Sequence, residues 1–132
     1  MKSYLIFSVI LLSFFNSSQN KKLLGEYKVE FENKYPPSYN INFGETDYIK
    51  TNNKGETIGR GEIIKNLSEN NEGVIMLKDY SIIRDGKTEH KITVSDVTQF
   101  WFTKKDTVQF GIYHEGNLHV AYMVGIMIKV KK

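Results

Sequence analysis

Residues 107–130, TVQFGIYHEGNLHVAYMVGIMIKV, constrain the chain more than any other stretch. Val108, Phe110 and Ile112 alternate before a Glu115-Gly116-Asn117 turn signal, and Leu118, Val120, Tyr122, Val124, Ile126, Ile128 and Val130 keep one parity after it. Period-2 apolar spacing around a glycine turn predicts a β-hairpin with one long arm. A three-residue turn sets Ile112 opposite Val120 and Phe110 opposite Tyr122, so both apolar rows share one face. The arm over 117–130 is far longer than the usual strand of about 5 to 6 residues, and Gly125 is where it is expected to bend around a curved sheet. A strand of that kind suits a small closed barrel.

The first 18 residues have the pattern of a secretory signal peptide: Lys2 supplies the positive start, residues 4–15 an apolar run, and Asn16-Ser17-Ser18 small residues for cleavage. A 12-residue run is well short of the ~20 that span a bilayer, and no later stretch is longer. The expected organisation is a signal peptide over 1–18 and one domain over 19–132, which the sequence assigns to the periplasm or the secreted fraction. There is no cysteine, so stability must come from burial and sheet hydrogen bonds even though export permits disulfides. Loss of Lys2 takes the basic count from 18 to 17 against 15 acids. A balance near +2, with a single small cluster at Lys129, Lys131 and Lys132, argues against nucleic acid as a partner.

Residues 24–32, LGEYKVEFE, set Tyr27, Val29 and Phe31 on one face and charges on the other, the pattern of a half-buried strand. Tyr35-Pro36-Pro37 stops it, because proline cannot donate to a ladder. Tyr39, Ile41 and Phe43 alternate next, a short arm runs through Tyr48 and Ile49, and Asn52-Asn53-Lys54-Gly55 turns the chain. Residues 56–65 are strand-like, with Gly59 and Gly61 marking a bend at a barrel corner. A polar loop is expected over 67–72, with Asn66-Leu67-Ser68 a glycosylation sequon in a host that modifies exported proteins. Residues 73–83 form the most continuous internal strand, Arg84-Asp85-Gly86-Lys87 a tight hairpin turn, residues 88–95 its partner and residues 97–103 a further strand. No window shows a 3.6-residue period with capping signals. The expected fold is therefore all-β, a single antiparallel up-and-down barrel of eight to nine strands, with a two-sheet β-sandwich as the alternative.

Leu24-Gly25-Glu26-Tyr27, opening the first strand behind a signal peptide, resembles the start of small bacterial lipocalin-like (calycin-type) barrels, whose chains begin with Leu-x-Gly-x-Trp or a close variant. Gly25 and Tyr27 map onto the Gly-x-Trp pair, with tyrosine in place of the tryptophan that closes the barrel floor. Thr46-Asp47-Tyr48 departs from the family's Thr-Asp-x-x-Tyr signature by position and by spacing, and no arginine sits near the last strand. The resemblance implies a small apolar ligand held in the barrel mouth.

Candidate ligand contacts are Phe110 and Tyr122 on the inward row, with Arg60 as a fixed fork of donors for an anionic head and Glu62 beside it. These two charges face either the lumen or water, since Ile58 and Ile64 share their face. The reverse row of the long arm, His119, Ala121, Met123, Gly125 and Met127, carries no charge before Lys129, and Trp101 lies between Phe100 and Phe102. Trp101, Met123 and Met127 are accordingly the candidate surface for a protein partner, the second functional reading being an inhibitor or immunity-type module. His114 and His119 flank the turn and should diverge, so no metal and no cofactor is expected. Ser81, His90 and Asp79 compose no recognisable nucleophile site, and catalysis is not expected. The domain reads as a binding protein. Its mature chain is expected to start between Ser17 and Lys21, which N-terminal sequencing of exported protein checks; a chain still beginning at Met1 contradicts it.

Overall fold

The computed structural model describes residues 22–84, 87–90 and 96–131. The expected signal peptide over 1–18, the Asp85-Gly86 turn, and the side chains of Asp79 and His90 lie outside what is described. Nine strands are present among the described residues: β1 (Gly25–Phe31), β2 (Tyr39–Phe43), β3 (Asp47–Thr51), β4 (Thr57–Glu69), β5 (Glu72–Arg84), β6 (Lys87–His90), β7 (Asp96–Lys104), β8 (Thr107–His114) and β9 (Met123–Lys129). Each pairs antiparallel with its neighbours in the order β4-β3-β2-β1-β9-β8-β7-β5-β6, and β4 also pairs β5. That last pairing closes eight strands into an up-and-down barrel and leaves β6 as a ninth strand on the end of β5. The expected barrel is present, and the sandwich is not.

Why these segments close is visible in two rows of directly opposed residues. Gly25, Phe43, Tyr48 and Gly61 face one another across β1 to β4. Gly73, Phe100, Phe110, Gly125 and Phe31 do so across β5, β7, β8, β9 and β1. Aromatic rings inside a narrow barrel need empty volume beside them, and the glycines provide it. A Cβ at Gly73 would lie 2.3 Å from Phe100 Cζ, at Gly61 2.7 Å from the Tyr48 hydroxyl, and at Gly125 2.9 Å from Phe110 Cζ. Phe31 and Phe110 meet edge to face at 5.6 Å, and Phe100 and Phe102 do the same. Tyr48, Phe100 and Val108 are almost fully buried in consequence.

One end of the barrel is shut. Leu23 is fully buried there, its backbone clamped by Asn66, which accepts from Leu23 N at 3.3 Å and donates to Leu23 O at 2.9 Å. An Asn66 side chain held in this way, inside β4, is no longer the loop sequon that the sequence suggested. Tyr27 is buried beside it, and Lys129 of the last strand lies 4.8 Å from the centre of its ring while donating to Leu24 O. Burial, reinforced by Asp106, pushes the Tyr27 hydroxyl above its ordinary pKa.

Two expectations are corrected. The polar loop over 67–72 shrinks to Asn70-Asn71 with φ of 52° and 69°, left-handed values that asparagine tolerates, so β4 and β5 run through it as a hairpin. The final hairpin has a different register. Phe110 stands opposite Gly125 and Ile112 opposite Met123, three residues away from the expected pairing, because residues 115–122 form a long loop instead of a three-residue turn. An odd shift exchanges the faces of a strand. Met127 therefore points inward, 3% exposed, while Tyr122, Val124 and Ile128 are 39%, 39% and 36% exposed. The physical reason is the glycine: a Cβ at position 125 would lie 2.2 Å from Glu30 O and 2.9 Å from Phe110 Cζ, so only a residue without a side chain fits opposite Phe110.

Phe110→Ala should therefore cost about 3 to 5 kcal/mol, whereas Tyr122→Ala should cost less than about 2 kcal/mol. Equilibrium chemical denaturation checks this. Equal losses at the two positions would restore the original assignment of faces.

Candidate functional site

At the end opposite Leu23 the two aromatic rows leave a gap. It is a cavity of about 90 Å³, walled by Val29, Ile41, Ile75, Leu77, Ile112 and Met127, with Phe43 and Phe110 of the two rows beside it. Its polar lining is Tyr39, Lys50, Asp96 and Thr98. Tyr39, Lys50 and Asp96 lie at or next to strand ends, and Thr98 lies two residues into β7. Tyr39 opens β2, Asp96 opens β7, and Lys50 follows Tyr48 with the same parity on β3.

Lys50 reaches inward because Gly59 stands directly opposite it on β4; a Cβ there would already touch the lysine stem at 3.8 Å. The ammonium lies 5.4 Å from the Tyr39 ring centre and 5.5 Å from that of Tyr48, so two aromatic faces bear on the charge. Burial lowers its pKa from the ordinary 10.5 to about 8, against the opposing effect of the Asp96 carboxylate. A lysine tuned in this way is still mostly cationic at neutral pH.

Asp96 ties the β8–β9 loop to the mouth. One carboxylate oxygen accepts a short hydrogen bond from the Tyr122 hydroxyl, and the other lies 3.2 Å from His114 Nδ1. The His114 and Tyr122 rings stack with centroids 4.2 Å apart and planes 8° from parallel. Burial first, and then the hydrogen bond to Asp96, hold the Tyr122 hydroxyl well above the ordinary phenol value. Tyr122 N also donates to Ile112 O at 2.9 Å, which fixes the point where the loop rejoins the sheet. This clasp is why residues 115–122 leave the ladder.

Of the residues expected to bind a ligand, Phe110 lines the cavity, and Tyr122 borders it through Asp96. Arg60 and Glu62 do not line it. Gly59 and Gly61 hold the inward positions of β4, so Arg60 is exposed opposite Ile49, and Glu62 is half-buried opposite Asp47 and Lys78. The expected partner surface also changes composition. Met127 is in the core, and Met123, partly buried, packs against it. Trp101 does lie on the outer face, half-buried opposite Gln109, and its outward companions on β9 are Val124, Ile126 and Ile128. His114 and His119 separate: His114 is on the clasp, and His119 is exposed in the loop. Among the described residues no three His, Asp or Glu side chains converge as a metal site would require, and no helix is long and apolar enough to cross a membrane.

Lys50 and Asp96 were not singled out by the sequence reading. The available signal was the shared parity of Tyr48 and Lys50 facing the Gly59-x-Gly61 pair. No family model, no curated protein and no solved structure matches the chain.

The Lys50 shift has a sign that can be measured. The unfolded chain keeps this proton up to about pH 10.5 and the folded chain only to about 8, so between those values the unfolded state binds more protons. Native stability due to Lys50 should therefore rise with pH across this window. Relative to Lys50→Met, the native protein should gain roughly 2 to 3 kcal/mol between pH 7 and pH 10.5, read by chemical denaturation of both proteins. A difference that does not move with pH contradicts the burial of the charge.

Proposed function

We propose that the chain is an exported, lipocalin-like binding protein that takes a small apolar ligand into the mouth of its barrel. The observation that carries this reading is the apolar cavity of about 90 Å³ beneath Tyr39, Lys50 and Asp96. Apolar walls with a few convergent polar groups are the usual composition of a small-molecule site. The volume sets the scale of the ligand. Pockets for drug-sized molecules run from about 300 Å³ upward, and about 30 Å³ corresponds to one water of liquid volume, so the cavity accepts a tail of roughly three or four heavy atoms. The glycine-spaced aromatics fill the rest of the barrel, which argues against a carrier of long lipids.

A second reading has its own support. The outer face of β7, β8 and β9 presents Trp101, Val124, Ile126 and Ile128, flanked by the Lys28–Glu30 ion pair at 3.2 Å. An exposed apolar row beside a tryptophan suits a protein contact. In that reading the barrel is a filled scaffold and the partner sits on its side.

Titration with 1-pentanol, followed by methyl chemical shifts, separates the two. Shifts confined to Ile75, Ile112 and Met127, abolished by the cavity-filling Ile112→Phe, are expected for the ligand-binding barrel. No shift at these methyls, together with self-association in sedimentation, contradicts it and favours the outer face.

A further inference from the structure

We infer that the ligand site has two chambers and takes a neutral apolar ring bearing a short alkyl tail, the ring in an outer chamber at the rim and the tail in the cavity beneath. This rests on the ligand-binding reading above and adds the ligand's size and chemical class to it. The outer chamber is a second hollow of about 420 Å³, walled by Pro36 and Pro37 of the β1–β2 connection, Ile58 and Gly59 of β4, and Ser81 and Ile82 of β5. Tyr39 and Lys50 line both hollows, so the two meet at these side chains. Small-molecule sites commonly run from about 300 to 1,000 Å³, a range that the inner cavity alone does not reach and the pair together does. The unequal volumes set the outline of the ligand: bulk at the rim, and below it a slender tail.

Gly59 opens the outer chamber. It stands opposite both Lys50 and Ile82, and the wall it faces is the Cβ and Cδ of the lysine stem. The ammonium at the tip of that stem is held by the Tyr39 and Tyr48 rings, and the Asp96 carboxylate bears on it as well. Tyr39 is backed in turn by Phe31, with ring centres 6.0 Å apart. An ionised ligand therefore meets charges that already have partners and would have to displace them, whereas a neutral ring needs only the apolar walls. Asn52 at the same rim is committed to its own turn, its Oδ1 accepting from Lys54 N and Glu56 N. No carboxylate lines the outer chamber among the described residues.

The test titrates the purified chain at pH 7 with 4-butylphenol, 1-pentanol and 4-butylbenzoate while methyls of both chambers are observed, Ile58 and Ile82 outside, Ile75, Ile112 and Met127 inside. 4-Butylphenol is expected to move both sets with one affinity, about ten-fold tighter than pentanol, because it buries a ring in addition to the tail. Pentanol should move the inner set alone, and 4-butylbenzoate should bind more weakly than 4-butylphenol. A Cβ at position 59 has its nearest neighbours at 3.6 and 3.8 Å, so a side chain there fits the fold and takes its volume from the outer chamber. Gly59→Val should bring 4-butylphenol down to the level of pentanol while leaving pentanol binding intact. Movement of the inner set alone by 4-butylphenol, or an affinity no better than that of pentanol, overturns the outer chamber and leaves the cavity reading standing. Tighter binding of 4-butylbenzoate overturns the neutral class. Failure of all three overturns the cavity reading itself. The native three-probe comparison stands even if Gly59→Val fails to fold.

Discussion

Aromatic rings facing glycines hold this barrel together. A closed sheet of eight strands has an interior just wide enough for side chains to fill, so several inward phenylalanines and tyrosines fit only where their neighbours give up a side chain. Gly61 beside Tyr48, Gly73 beside Phe100 and Gly125 between Phe31 and Phe110 do this on both halves of the barrel. The rows fix strand register, because sliding β9 by one residue would drive Val124 or Ile126 into Phe110. They also determine where space is left. Filling stops short of the end where Lys50 and Asp96 stand, and the cavity is the remainder.

The mouth then depends on one carboxylate. Asp96 opens β7 and holds the loop over 115–122 through Tyr122 and His114, whose rings stack on each other. The same carboxylate works against the lowering of the Lys50 pKa by burial. One carboxylate thus contacts the loop and bears on the charge of the lysine. The opposite end is shut among the described residues by different means, Leu23 held by Asn66 and Lys129 laid over Tyr27.

The parts of the fold legible in the sequence were those where one parity is apolar and the other charged. Residues 24–32 are such a case, and β1 lies within them with Tyr27, Val29 and Phe31 inward. β9 was not legible because both of its parities are apolar: Val124, Ile126 and Ile128 on one, Met123, Gly125 and Met127 on the other. The β-branched row looked like the core, and what overruled it was the space needed by Phe110, which no local pattern encodes. Arg60 and Glu62 drew attention as charges in an apolar stretch, yet the flanking glycines were the inward residues. Lys50 went unnoticed for the converse reason. A lysine in a short strand ordinarily faces water, and only its register against Ile41 and Gly59 turns it inward. Asp96 is likewise a turn-type residue until Tyr122 is brought to it from 26 residues away.

The register of β9 decides which side chains line the cavity and which form the outer face, so it is the claim to test most directly. The chain has no cysteine, which makes single-cysteine variants clean reporters. Met127→Cys and Ile128→Cys are adjacent in sequence but on opposite faces, and their thiol labelling rates under native conditions can be compared in one experiment. The structure predicts rapid labelling at position 128 and protection at 127 until the protein unfolds. Rapid labelling at 127 with protection at 128 would contradict the register, and with it the cavity.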